Sequence, residues 1–242
     1  MTKYCITISY DGSKYLGLQK LSKGKTIQGE LEKVLSKMNE DPVKVVSSGR
    51  TDRGVHAIEQ VCSFELTKET DPYRLRYYLN RSTGPYLYVS TCKEIEDEKF
   101  HARFSAKSKT YKYVVNTGTY DPIKADYLYN YNKSLDIQKI KSAAKRFLGA
   151  HNFRAFVVGK HETCDSIIED LIVNEENDYI IIEVKGKAFY TYMVRYIVAS
   201  LILVGEGTLI EEHIDNMLQT GKREIEFAPA PPSGLYLEKI EY

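Results

Sequence analysis

Tryptophan is absent from the 242 residues, cysteine is scarce, the net charge is close to zero and no apolar run is long. Each shortage removes a class of function. The four cysteines, Cys5, Cys62, Cys92 and Cys164, are scattered without a C-x-x-C spacing, so they predict reduced thiols and neither a zinc site nor a redox motif. The longest apolar stretch, Ile197 to Val204, falls far short of the roughly 20 residues that span a bilayer, and Arg195 stands just before it. Met1 to Cys5 lead straight into alternating apolar residues, unlike the basic, apolar and small-residue regions of a signal peptide, so a cytoplasmic location is expected. A formal charge of +1 is small for a nucleic-acid binder. Any phosphate contacts would need basic residues gathered on one face and acids gathered elsewhere.

What is present describes a soluble globular chain, 43% hydrophobic and 28% charged, long enough for one large domain or two small ones. Twenty tyrosines are many. Cross-strand packing accounts for most of them, although a flat ring with a polar tip also suits base stacking.

Tyr4, Ile6, Ile8 and Tyr10 alternate with polar or small residues, the period of a strand, and Asp11-Gly12 ends it as a turn. Thr26 offers an N-cap to a helix on which Ile27, Leu31, Val34, Leu35 and Met38 share one face. Strands are expected at 43–47 and 60–66, joined by the loop from Gly49 to Ala57. Asp71 and Pro72 open a second helix, and a strand follows at 86–92. The order is βαββαβ. It repeats with a strand at 110–116, a helix at 136–147, a strand pair at 167–173 and 179–185, an apolar helix from Phe189 to Val204 ended by Gly205, and a closing strand at 235–240. An extra helix to about Gln219 is inserted, with Thr208 and Glu211 as its expected capping box. The fold expected is therefore α+β: two ferredoxin-like βαββαβ units, at 1–106 and 107–242, with antiparallel sheets and a central cleft for RNA between them.

The segment Ser48-Gly49-Arg50-Thr51-Asp52-Arg53-Gly54-Val55-His56-Ala57 is too polar for an ordinary strand connection. It resembles the active-site loop of the tRNA pseudouridine synthase A family. Further matches follow in the family's order: Thr26 to Glu32, Phe100 to Phe104, Lys109 to Tyr113, Phe147 to Phe153, Met193 to Arg195 and Ala230 to Leu237. The nine-residue loop from Gly49 is the specific match, and the collinearity of the others carries the resemblance over nearly the whole chain.

The resemblance implies an isomerase of uridine in RNA. The glycosidic bond to uracil nitrogen breaks, the base turns over, and a ring carbon rejoins the same sugar carbon. No cofactor and no metal is required. Cleavage needs one carboxylate near the anomeric carbon, acting as nucleophile or base, and exclusion of competing water. Asp52 is the implied carboxylate. Burial alone favours a neutral acid, so a cation is needed, and the resemblance supplies Arg195. Tyr111 is implied to stack on the uracil, with a further role in taking the proton from the ring carbon. Arg50 helps hold the nucleotide out of its helix, or pairs with Asp52, or does both; such flipping costs a few kcal/mol. His56 either contacts RNA or fixes the loop. Leu235 belongs to the implied substrate-binding set, as does Arg53, which departs from the family by standing where a small residue such as alanine is usual.

The implied partners are tRNA, with the anticodon stem-loop as target, and a second copy of the chain. Basic residues at Lys107, Lys109, Lys112 and from Arg146 to Arg154 are candidates for an RNA surface. A paralogue acting on ribosomal RNA fits the same motifs. A tandem RNA-recognition protein would leave the Asp52 loop unexplained and lacks the glycine-aromatic signature. A zinc nucleobase deaminase needs H-x-E with P-C-x-x-C, whereas His56 and Glu59 have the wrong spacing and no paired cysteines exist.

Overall fold

The computed structural model describes residues 1–223 and 225–242. The chain divides into two compact units, Met1–Lys107 with Tyr236–Tyr242, and Ser108–Leu235. Both are mixed α+β.

In the first unit, strand β1 (Thr2–Tyr10) is followed by helix α1 (Ile27–Asn39), β2 (Val46–Ser47), β3 (His56–Leu66), α2 (Pro72–Ser82) and β4 (Leu87–Glu94). This is the expected βαββαβ order. β1 lies between β4 and β3, antiparallel to both, and β2 is antiparallel to β3 on its far side. That arrangement is the ferredoxin-like split βαβ. Both helices start where their caps predict: the Thr26 hydroxyl accepts from the Gly29 N–H at 3.2 Å, and Asp71 accepts from the Arg74 N–H at 3.0 Å. Leu31, Leu35, Leu75 and Leu79 are fully buried, as are Tyr4, Ile6 and Ile8 from the sheet.

One strand is shorter than its apolar pattern suggests. Only Val46 and Ser47 are regular, because side chains of α1 take the preceding backbone donors: Ser36 accepts from the Val43 N–H and Glu32 from the Val45 N–H. Conversely β3 begins at His56, four residues before its expected start.

The second unit runs β5 (Ser108–Asn116), β6 (Tyr129–Asn130), α3 (Ile137–Ala144), β7 (Gly149–Asn152), β8 (Asp165–Glu176), β9 (Tyr179–Gly186), α4 (Met193–Glu206) and α5 (Glu211–Thr220). β5, β9, β8 and β7 pair in that order, all antiparallel, and β6 adds two residues parallel to β5. Helix α4 is buried along almost its whole length, so its apolar run is core. Among the described residues no helix is long and apolar enough to cross a membrane.

Three expected features of this unit differ. Helix α4 starts at Met193 rather than Phe189, since Ala188 and Phe189 are held elsewhere: the Ala188 carbonyl accepts from the Ser166 hydroxyl and the Phe189 ring packs edge-on to Tyr111. It passes through Gly205 and stops at Gly207, whose φ of 85° is the left-handed cap. Gly205 serves close packing instead, because a Cβ there would lie 2.7 Å from Ile140 of α3. The Thr208–Glu211 capping box does not form. Arg146 draws the Glu211 carboxylate away at 2.9 Å, and the Ile210 N–H donates to His213 Nδ1.

The closing strand, β10 (Leu235–Glu241), was expected to complete the second unit. From Tyr236 onward it belongs to the first, where Tyr236 and Leu237 pair in parallel with His56 and Ala57. A partner some 180 positions away leaves no local trace in sequence.

Candidate active site

The Asp52 loop is built on short-range geometry and then pinned by distant residues. The Val55 N–H donates to the Asp52 carbonyl at 3.2 Å, closing a turn whose third position, Gly54, has φ 82°. Glycine takes that left-handed conformation at no steric cost. Arg53 occupies the exposed position before it.

Four anchors hold the loop. The Tyr10 and Thr51 hydroxyls lie 2.7 Å apart, and the Leu18 N–H donates to the Thr51 carbonyl at 3.1 Å. Gln60 donates to the Gly49 carbonyl at 3.0 Å while accepting from the Ser48 hydroxyl. The Gly12 N–H donates to His56 Nδ1 at 3.1 Å, and the Asp11 carboxylate lies 3.5 Å from the same nitrogen. His56 is buried and stacks on Tyr236, ring centroids 4.8 Å apart. Gly12 itself admits no side chain, since a Cβ would lie 1.9 Å from the Val55 carbonyl oxygen. The result is a half-buried Asp52 flanked by exposed Arg50 and Arg53 on a backbone that cannot easily shift.

In the second unit Tyr111 lies on β5 opposite Val184, on the same buried face as Tyr113 and Val115. Phe189 meets its ring edge-on, centroids 4.9 Å apart. Arg195 is buried on the first turn of α4. Its Nε donates to the Ala230 carbonyl at 2.7 Å, the Ala230 N–H donates back to the Arg195 carbonyl at 3.1 Å, and the guanidinium lies 4.4 Å from the Tyr192 ring centre. The Ala-Pro-Pro segment is thus a clamp that aims this arginine. The clamp is itself secured: Tyr113 donates to the Pro231 carbonyl at 2.7 Å, and Gly234 packs so closely that a Cβ would meet the Tyr113 ring. Burial, then the neighbouring Tyr129, push the Tyr113 hydroxyl well above its ordinary range, with the Arg195 charge pulling the other way. Leu235 is buried at the start of β10.

Arg50, Asp52, Arg53 and His56 therefore lie in the first unit, and Tyr111, Arg195 and Leu235 in the second. Sequence reading missed the residues that position them: Tyr10, Gly12 and Tyr236 around the loop, and Phe189, Tyr113 and Ala230 around Tyr111 and Arg195. Some fall inside the matched motifs, yet only their contacts reveal what they hold. Arg146, a candidate for RNA contact, has its charge offset by Glu211 and Asp215 at 2.9 and 3.1 Å. A hollow of about 540 Å³ in the second unit is lined by His151, Asp165, Ser166 and Lys187 among others, and none of the expected site residues reaches it. Among the described residues no group of three or more His, Cys, Asp or Glu is arranged to hold a metal ion.

Comparison with known proteins agrees with this architecture. The sequence model of the family described as tRNA pseudouridine synthase matches residues 6–105 and 143–242. A Bacillus cereus protein named tRNA pseudouridine synthase A 2 is 37% identical over 246 residues, covering 100% of both chains. Proteins named tRNA pseudouridine synthase A from an Exiguobacterium strain and from Malacoplasma penetrans are each 36% identical, over 100% and 99% of this chain and 98% and 99% of theirs.

Proposed function

Because the chain belongs to the tRNA pseudouridine synthase family and is an isomerase of uridine in RNA, we propose that its target lies in the anticodon stem-loop of tRNA and that Asp52 is the one essential carboxylate. The observation that carries this reading is the Asp52 loop: a single half-buried acid on a backbone fixed by Tyr10, Leu18, Gln60 and His56. Such rigidity suits a group that must meet a sugar carbon at close range.

In the proposed reaction Asp52 acts on the sugar at or beside its anomeric carbon, and the electrons of the glycosidic bond leave with the uracil nitrogen. The uracilate spreads that charge over its ring and stays bound. It turns and its ring carbon bonds to the anomeric carbon as Asp52 is released from the sugar or returns the proton it took; the ring carbon then loses its own hydrogen as a proton, and the freed nitrogen gains one. Arg195, aimed by Ala230, supplies the positive charge that keeps Asp52 ionised out of water. Arg50 holds the extruded nucleotide, and His56, buried against Gly12 and Tyr236, holds the loop. Arg53 and Leu235 contact the substrate. Two copies of the chain act together on tRNA in the cytoplasm.

Tyr111 stacks on the uracil and takes the proton from its ring carbon. A Tyr111→Phe enzyme is expected to keep its RNA affinity and lose about 10²-fold in turnover, the usual worth of a positioned base. Full turnover in a single-turnover assay would leave only the stacking role.

The substrate itself is tested in cells. Deleting the gene should remove pseudouridine from the anticodon stem-loops of tRNA, and the wild-type gene, but not Asp52→Asn, should restore it. Loss from ribosomal RNA with tRNA unaffected would overturn this reading in favour of a ribosomal substrate.

A further inference from the structure

Helix α2 presents an exposed face unlike that of an ordinary solvated helix. Tyr73, Tyr77 and Arg81 follow one another at intervals of four, with Arg74 beside them. Tyr73 and Tyr77 are 68% and 59% exposed. Large rings left in water beside arginines, with the Arg81 guanidinium donating to the Tyr77 hydroxyl, are the composition of a binding surface rather than of a solvated one. The helix holds three arginines, Arg74, Arg76 and Arg81, and no acid.

The pairing of strands tells where this face lies within the first unit. Leu87, at the start of β4, pairs with Tyr10, and Tyr10 pairs with Ala57 at the end of the Asp52 loop. The Asp11 N–H donates to the Tyr86 carbonyl, and Lys25 lies over the Tyr86 ring. So the C-terminal end of α2, with Arg81, is at the catalytic end of the sheet, and its 11 residues run about 16 Å away from it. Arg74 stands on the first turn of the helix, towards the opposite end of the sheet.

We propose that Arg74, Tyr77 and Arg81 bind the sugar-phosphate backbone of the RNA substrate outside the stem-loop that carries the target uridine, a role resting on the RNA isomerase reading above. Three arginines and no acid on the helix favour a polyanionic partner, which neutralises them.

The experiment compares wild type with Arg74→Ala/Arg81→Ala and Tyr77→Ala on two substrates, a full-length unmodified tRNA transcript and its isolated anticodon stem-loop. With tRNA, KM is expected to rise about tenfold in each variant with kcat unchanged. For the double variant the dependence of log KM on log salt should flatten by about 2, one for each lost phosphate contact. The isolated stem-loop should not distinguish the enzymes, and Arg74→Lys/Arg81→Lys should recover most of the tRNA effect. Unchanged KM and salt dependence would overturn the proposal, as would a change of oligomeric state in the alanine variants on sedimentation. A wild type inactive on both RNAs would instead defeat the substrate reading itself.

Discussion

An Asp52→Asn enzyme should bind tRNA within about threefold of wild type yet release tritium from ring-labelled uridine at least about 10⁴-fold more slowly, the scale seen when an essential catalytic group is removed. Asparagine matches aspartate in size but can serve neither as nucleophile nor as base. The loop should survive the change, because its anchors run through the Thr51 hydroxyl and carbonyl, the Gly49 carbonyl and the His56 ring rather than through residue 52 alone. Loss of rate with retained affinity separates chemistry from folding and from RNA contact. A residual rate within tenfold of wild type would mean that another group does the work.

Arg195→Ala carries the second-largest expected effect, a fall of about 10² to 10³ in kcat, as when a preorganised electrostatic partner is deleted. On the proposed role of its charge, losing Arg195 would leave the Asp52 carboxylate easier to neutralise and so less able to act on the sugar. The arginine is also held by geometry. Its Nε is committed to the Ala230 carbonyl at 2.7 Å, and Ala230 returns a hydrogen bond to the helix backbone. Arg195→Lys should therefore recover only part of the rate, since an ammonium restores charge without the planar fork that meets Ala230. Both enzymes are compared by single-turnover rates, with circular dichroism to verify the fold. Near-normal rates in Arg195→Ala would refute the charge role.

These effects arise from features that were legible in the sequence to different degrees. Local signals read well: the alternation of Tyr4 to Tyr10 gave β1, and Thr26 with its apolar stripe gave α1 to the residue at its start. The composition of the Gly49 to Ala57 segment marked it as chemical. What failed were choices decided by partners far along the chain. The strand before the loop lost its backbone donors to Glu32 and Ser36, the box at Thr208 lost Glu211 to Arg146, and the last strand found His56 and Ala57. The loop's rigidity was equally invisible, because it depends on Gly12 meeting Val55 and on Tyr236 meeting His56. A periodic pattern reports burial on one element; it says nothing about which distant side chain captures a given donor.

The proposed chemistry depends on one aspartate being brought to the sugar of an extruded uridine. A crystal structure of the Asp52→Asn protein bound to unmodified tRNA tests this most directly. The target uridine should lie outside its helix with the side chain at position 52 about 3 to 3.5 Å from its anomeric carbon. A target still stacked in its stem, with that side chain turned to bulk water, would contradict it.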